Sequence, residues 1–248
     1  RDLHSFPTRR SSDLVVDIGG YIESEKNLDQ KGLCWVQDDA QVCDSARVWG
    51  DARVYGNARV CGYAQVFSRA QVGDNAQVCD CAKVFCDARV YDDTQVYDYA
   101  QIWGEAHVYD TAKVYGYAQA ASCARVFGNA RLYDSAVCSS ARVYGNAQVC
   151  GYARVGGDAQ VYGNAQVSNE ARINNKAQVG DNARLQKEQD SITVGVGEVY
   201  ATFYRTDTGV SVVSRDIFAE ILEAPLESRD VSPKEYEHIV QLVERYAQ

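Results

Sequence analysis

Between Val36 and Leu185 small or branched apolar residues alternate with polar or large ones on a fixed six-residue step. The clearest unit is Val54-Tyr55-Gly56-Asn57-Ala58-Arg59, followed at once by Val60. Val, Ile or Leu opens nearly every unit from Val36 to Leu132 and again from Val143 to Leu185, with Ala120 the one weak member. Ala holds the fifth place from Ala40 to Ala136 and from Ala141 to Ala183, where Thr94 alone departs. Alternation of this kind has the period of a strand with one buried face. The Gly-Asn, Gly-Asp or Asp-Asp pair after it accepts the dihedrals of a tight corner. Apolar residues six apart do not stay on one side of a 3.6-residue spiral, so a helix is excluded. Short strand, corner, short strand, corner describes a solenoid in which each rung covers the open edge of its neighbour.

The residue after each inward Val sets the number of units per rung. Steps of eighteen bring like residues together: Cys43, Cys61, Cys79, Tyr97, Tyr115 and Tyr133; Trp49, Phe67, Phe85 and Trp103; Tyr55, Gly73, Tyr91, Tyr109 and Phe127. Steps of twelve mix the types, as in Cys43, Tyr55, Phe67 and Cys79. Three units per turn therefore stack like on like, as in-register parallel strands require. The prediction is a mainly β chain, a triangular parallel β-helix of about eight to nine rungs and about 40 Å length at about 4.8 Å per rung. One residue is missing near Ala136-Val137-Cys138-Ser139-Ser140-Ala141, and either Val137 or Cys138 fills the core there. A one-residue slip would turn every later side chain inside out, so the deletion is expected to be absorbed at one corner. Ala120 leaves less volume than Val, and looser packing is expected over 119–123.

The repeated Val-x-x-x-Ala-x resembles the hexapeptide repeat of left-handed parallel β-helix proteins, a superfamily that includes many trimeric acyltransferases. Left-handedness rests on that resemblance, since the general crossover rule favours the other hand. Gly19-Gly20-Tyr21-Ile22-Glu23, with Asn27-Leu28 and Gly32-Leu33-Cys34-Trp35-Val36, is similar to the opening segment of uncharacterised, transferase-like bacterial and phage-associated members. Tyr200-Ala201-Thr202-Phe203-Tyr204-Arg205 and Glu235-Tyr236 resemble the C-terminal cap of some of them.

Flanking segments divide the chain further. Residues 1–14 have neither the repeat nor a long apolar run, and they resemble a translated sequencing-adapter artefact; they are expected to be disordered. With no initiator Met, the true N-terminus is expected to be missing. Residues 15–35 form an N-terminal cap, with Val15 to Ile18 a strand and Gly19-Gly20 a turn. The β-helix occupies 36–186. Residues 187–248 form a small α/β cap, with strands at Ile192, Val199 and Val210 and helices over 217–222 and 233–246. Ser232, Pro233 and Glu235 supply the N-cap, first-turn Pro and box partner of the second helix.

The net charge of −9 and the Arg/Gln alternation on the outer face leave no broad basic surface for nucleic acid. No apolar run is long enough to cross a membrane. Nine cysteines sit in repeat positions without zinc-like spacing. Outward, parallel side chains at Cys43, Cys61 and Cys79 read as reduced thiols in a cytoplasmic protein, with a soft-metal ladder as the lesser alternative. The missing start leaves secretion open.

Acyltransferases of the superfamily use a catalytic His beside a loop that leaves the solenoid, and a base near neutrality suits that chemistry. The histidines here are His4, His107 and His238, and His107 occupies an outward Arg/Gln place. Zinc carbonic anhydrases of the fold use three His ligands, and His107 stands alone in the solenoid. The expectation is a non-catalytic scaffold or interaction module without cofactor or metal. Its binding candidates are Trp49, Phe67, Phe85 and Trp103 in one outer ladder and Tyr91 and Tyr109 in another. The candidate occupants are a homotrimer partner, another protein, or a saccharide lying along the rungs. Stacked aromatics also stabilise neighbouring rungs without any partner. The alternative is an acyltransferase-like enzyme using His107, with acetyl-CoA as co-substrate.

Overall fold

The computed structural model describes residues 19–180 and 182–186 with their side chains, and the backbone alone of 4–7, 18, 191–196, 199–206 and 209–214. The repeat folds as a parallel β-solenoid of about nine rungs, its strands forming three sheets of eleven, eight and nine strands. Two of the eleven precede the repeat. We name the faces by their early inward residues: the Val42, Val48 and Val54 faces. Most strands are two residues long, an outward polar residue and the inward Val. Partners are eighteen residues apart, as in Lys83 opposite Gln101 and Val84 opposite Ile102. Backbone bonds continue past the strands: the Lys83 amide donates to Ala100 O at 2.9 Å and the Phe85 amide to Ile102 O at 3.0 Å.

The core holds only the opening and fifth residues of each unit, and from Ala40 to Ala171 these positions are 0 to 1% exposed apart from one polar residue, Ser135, at 4%. Full burial of one Val is worth about 1.5–3 kcal/mol, and the repeat adds that term three times per rung. Two polar residues enter this layer. Thr94 donates its hydroxyl to Tyr91 O at 2.7 Å, and Ser135 donates to Val149 O at 3.0 Å, so neither is left unsatisfied. At each corner the third residue of the unit takes φ between 49° and 73°. That region favours Gly, Asp and Asn, which hold most of these places; Ser68, Cys86, Ser122 and Ser139 hold the rest. Several of the Asp carboxylates bond the next rung, as where Gly128 N donates to Asp110 Oδ2 at 2.8 Å.

The missing residue lies one unit earlier than the sequence reading placed it. Ser135 takes an inward Ala place, Ala136 pairs with Gln119 in the outward place, and Val137 is opposite Ala120 in the core. The short unit is therefore Leu132 to Ala136. Cys138 is half-buried on the outside. The shortened corner keeps the inward phase because Ser135 is small enough to replace Ala.

The N-terminal side departs from expectation twice. Gly19 and Gly20 lie inside the strand Ile18–Ile22 rather than in a turn. A Cβ on Gly20 would stand 2.7 Å from Ala40 O, so the strand passes too close to the first rung for any larger residue. His4–Pro7, expected to be disordered, pairs antiparallel with Ile18–Ile22. An open sheet edge offers backbone groups to any extended segment, whatever its side chains. Buried Asn27 donates to Ala46 O at 2.8 Å, and Leu28 bridges to Val48, which covers the first turn of the Val48 face.

At the other end Ser191–Val196, Val199–Thr206 and Gly209–Ser214 form an antiparallel three-stranded sheet. Its middle strand lies against Gln178–Val179 and Arg184–Leu185. The helices expected over 217–222 and 233–246 fall outside the described residues.

Candidate functional site

The surface of the solenoid is built from side-chain columns, each repeating at the rung spacing. On the Val48 face, Trp49 and Phe67 stack at 4.4 Å, Phe67 and Phe85 at 4.9 Å, and Phe85 and Trp103 at 6.2 Å. On the Val54 face, Tyr91, Tyr109, Phe127, Tyr144 and Tyr162 form a second column with steps of 5.2, 4.9, 4.9 and 5.4 Å. Each such stack adds about 0.5–1.5 kcal/mol beyond burial. All six candidate rings are half-buried, each stacked on at least one ring of an adjacent rung. Burial raises the hydroxyl pKa of Tyr91 and Tyr109, which keeps both protonated at neutral pH.

The most exposed aromatic residues were not anticipated. Tyr63, Tyr99, Tyr117 and Tyr152 stand at the corner that follows the Val42 face, with exposures from 53% to 81%. Tyr99 and Tyr117 stack at 5.1 Å. Their signal in the sequence is a Tyr directly before Ala, in the fourth place of the unit, which elsewhere holds polar residues or Cys, most often Asn or Asp.

His107 lies in an outward column between Arg89 and Arg125, and its ring meets Tyr91 edge-on at 6.4 Å. Burial first, then the two guanidinium groups, hold its pKa below the ordinary value. The imidazole is neutral at physiological pH, and protonating it would place a third cation in the column. Two hollows lie on the Val48 face. One of about 710 Å³ adjoins Trp49 with Leu28, Lys31 and Arg47. The other, of about 420 Å³, adjoins Trp103 at the opposite end of the same column. His107 lines neither.

Cysteine chemistry requires a correction. Cys61 and Cys79, expected as reduced thiols, are joined in a disulfide across adjacent rungs. Their Cα atoms are 4.7 Å apart, and the rung spacing itself falls within the range a disulfide spans. Parallel placement does not prevent pairing, since two side chains of one column can turn toward each other. With that pair oxidised, cysteine usage no longer argues for a reducing compartment, and a three-thiol metal ladder loses two of its ligands. Burial raises the pKa of Cys34 to about 11 and also raises Cys43 and Cys150, so these thiols are protonated and weakly nucleophilic. Among the described residues Glu23, Cys43 and Asp44 gather potential ligand atoms within 4.8 Å. Glu23 and Asp44 already accept backbone amides there, from Asp44 N at 2.5 Å and Gly62 N at 3.1 Å. No helix among the described residues is long and apolar enough to cross a membrane.

A family model described as the YdcK beta solenoid repeat matches residues 52–67. The comparison with curated proteins gives no match. The matched stretch includes the strands around Val54, Val60 and Val66, one from each face, so it covers most of one turn. The six-residue step, the three parallel sheets and this match together make the chain a hexapeptide-repeat parallel β-helix.

Proposed function

We propose that this β-solenoid scaffold works as a non-catalytic interaction module whose outer columns engage a partner. The observation that carries the reading is the setting of His107. It sits on a flat strand between Arg89 and Arg125, outside both hollows, with its basicity lowered. A general base in acyl transfer must take up a proton during the reaction, and these neighbours oppose that charge. The aromatic columns supply the complementary support, because a rigid row of rings offers contact area at little entropic cost.

Calorimetry with acetyl-CoA on the full chain, with solution mass recorded on the same sample, tests the reading. No saturable binding is expected. Acyl transfer that His107→Ala abolishes with the fold intact would sink the scaffold reading. Partner engagement through the Val48 face has its own test: Trp49→Ala combined with Trp103→Ala must change either the oligomeric state or capture of a partner. If neither changes, that face is structural only.

A further inference from the structure

The hollow beside Trp103 lies where three outer columns fail together. The column of Trp49, Phe67, Phe85 and Trp103 continues as Ala121 and Cys138. The outward strand column passes from Gln119 through Ala136 to Arg154. The corner column of tyrosines runs Tyr99, Tyr117, then skips a rung before Tyr152, because the shortened unit has no residue in the fourth place. Trp103, Ala121 and Cys138 of the first column, Gln119, Ala136 and Arg154 of the second, and Tyr117 and Tyr152 of the third border one notch of about 420 Å³, within the size of small-molecule sites. Tyr117 and Tyr152, both strongly exposed, are two rungs apart, a separation of about 9.6 Å at about 4.8 Å per rung. One ring is missing between them.

We infer that this notch binds a single hexose ring of a neutral saccharide, held between Tyr117 and Tyr152 against Ala136. The flat faces of the two phenols suit the apolar faces of a sugar ring. The polar lining selects the ligand further. Asp134, Arg154 and Gln119 all line the notch. A carboxylate accepts only and a guanidinium donates only, whereas a hydroxyl does both and can serve each in turn. The two charges offset, and the chain as a whole carries −9, so a neutral ligand is favoured over an anionic one. Asp134 Oδ1 already accepts Tyr117 N at 2.7 Å, so a plain aromatic ring would fill the gap but offer nothing to Arg154 and Gln119. The inference rests on the reading of the solenoid as a binding module and assigns it a ligand class and a location.

Titration of the full chain with cellohexaose, maltohexaose and N-acetylated chitohexaose, followed by tryptophan fluorescence and calorimetry, tests the site. At least one of the three is expected to saturate with a change in fluorescence. Tyr117→Ala and Tyr152→Ala are each expected to weaken that binding about three- to tenfold, the loss of one ring contact. Tyr63→Ala, on the same corner but far from the notch, is expected to leave it unchanged. A Tyr inserted between Asp134 and Ser135 refills the rung and is expected to abolish binding; if that variant does not fold, the point variants decide. The inference is overturned if none of the three sugars binds, if Tyr63→Ala costs as much as Tyr117→Ala, or if p-cresol competes for the notch more tightly than any sugar. Acyl transfer dependent on His107 would overturn the module reading through a different residue and a different readout, so the two failures are separable.

Discussion

Gly73 and Ala121 both interrupt an outer aromatic column, and the chain treats the two interruptions in opposite ways. At Gly73 the ring of Tyr55, one rung away, occupies the space that a Cβ would need, so the column is closed from within. Tyr162 covers Gly180 in the same manner. On the Val42 face, where cysteines stand in place of rings, Cys61 and Cys79 close the column covalently. Around Ala121 nothing closes it. Trp103 stands further from Phe85 than the other rings of its column stand from each other, the neighbouring strand place holds only Ala136, and the corner place has no residue. A gap one residue wide is repaired by its neighbour; a gap three columns wide stays open.

The comparison first requires that the core be equally tight beneath both gaps, since Val72 and Val137 are each fully buried. Val72→Asp and Val137→Asp are therefore expected to destabilise by more than about 4 kcal/mol each and abolish the cooperative urea transition. Tolerance of Val137→Asp alone would show that water reaches the core under the notch. The covalent closure comes next in size. Cys61 and Cys79 are 18 residues apart in sequence, and opening a loop of that length is expected to cost about 3 kcal/mol. Urea curves with and without reductant measure it. Thiol titration of the unreduced, denatured chain is expected to count seven thiols of the nine cysteines. Nine would remove the disulfide from the account.

The architecture was legible because each rung repeats the same decision: Val84 and Ala88 point inward for the same reason as Val66 and Ala70. Stacking of like on like at eighteen residues followed from the same step. What escaped was information carried by single residues. Ser135 and Ala136 are both small, so the pattern alone could not say which of them faces the core, and the deletion was assigned one unit late. The notch depends on that corner, so it was invisible too. Tyr117 and Tyr152 lie in a place the repeat frame treats as a generic turn residue. The disulfide escaped because parallel, outward side chains suggest poor disulfide geometry, although neighbours in one column remain close enough to join.

Glycine replacements separate the two kinds of gap at a smaller scale. Gly116 holds φ +64, and a Cβ there would overlap Asp134 and the Tyr133 ring at the shortened corner. Gly116→Ala is expected to cost about 1–3 kcal/mol, since backbone strain and crowding act together. Gly73 needs no left-handed backbone, and its obstacle is the far end of the Tyr55 side chain, which can swing outward. Gly73→Ala is expected to cost less than about 1 kcal/mol in the same urea assay. Equal losses at both would mean that Tyr55 is held as firmly as backbone.

The smallest effect belongs to His107, on an intact column where nothing is missing. Its folded pKa lies below the ordinary value through burial and then through Arg89 and Arg125. Above the ordinary value the imidazole is neutral in both folded and unfolded chains and contributes nothing to stability. As pH falls through that value, the unfolded chain takes up the proton first, and stability is lost until the folded chain also titrates. His107→Gln, which restores a residue the repeat uses in this place, removes that loss. The variant is expected to match the parent at pH 8 and to exceed it at pH 5, by less than about 0.5 kcal/mol because solvent still reaches and screens this half-buried column. Added salt weakens only the guanidinium part of the effect. A difference that persists in high salt would assign the shift to burial by the neighbouring column, and one that vanishes would assign it to the two arginines.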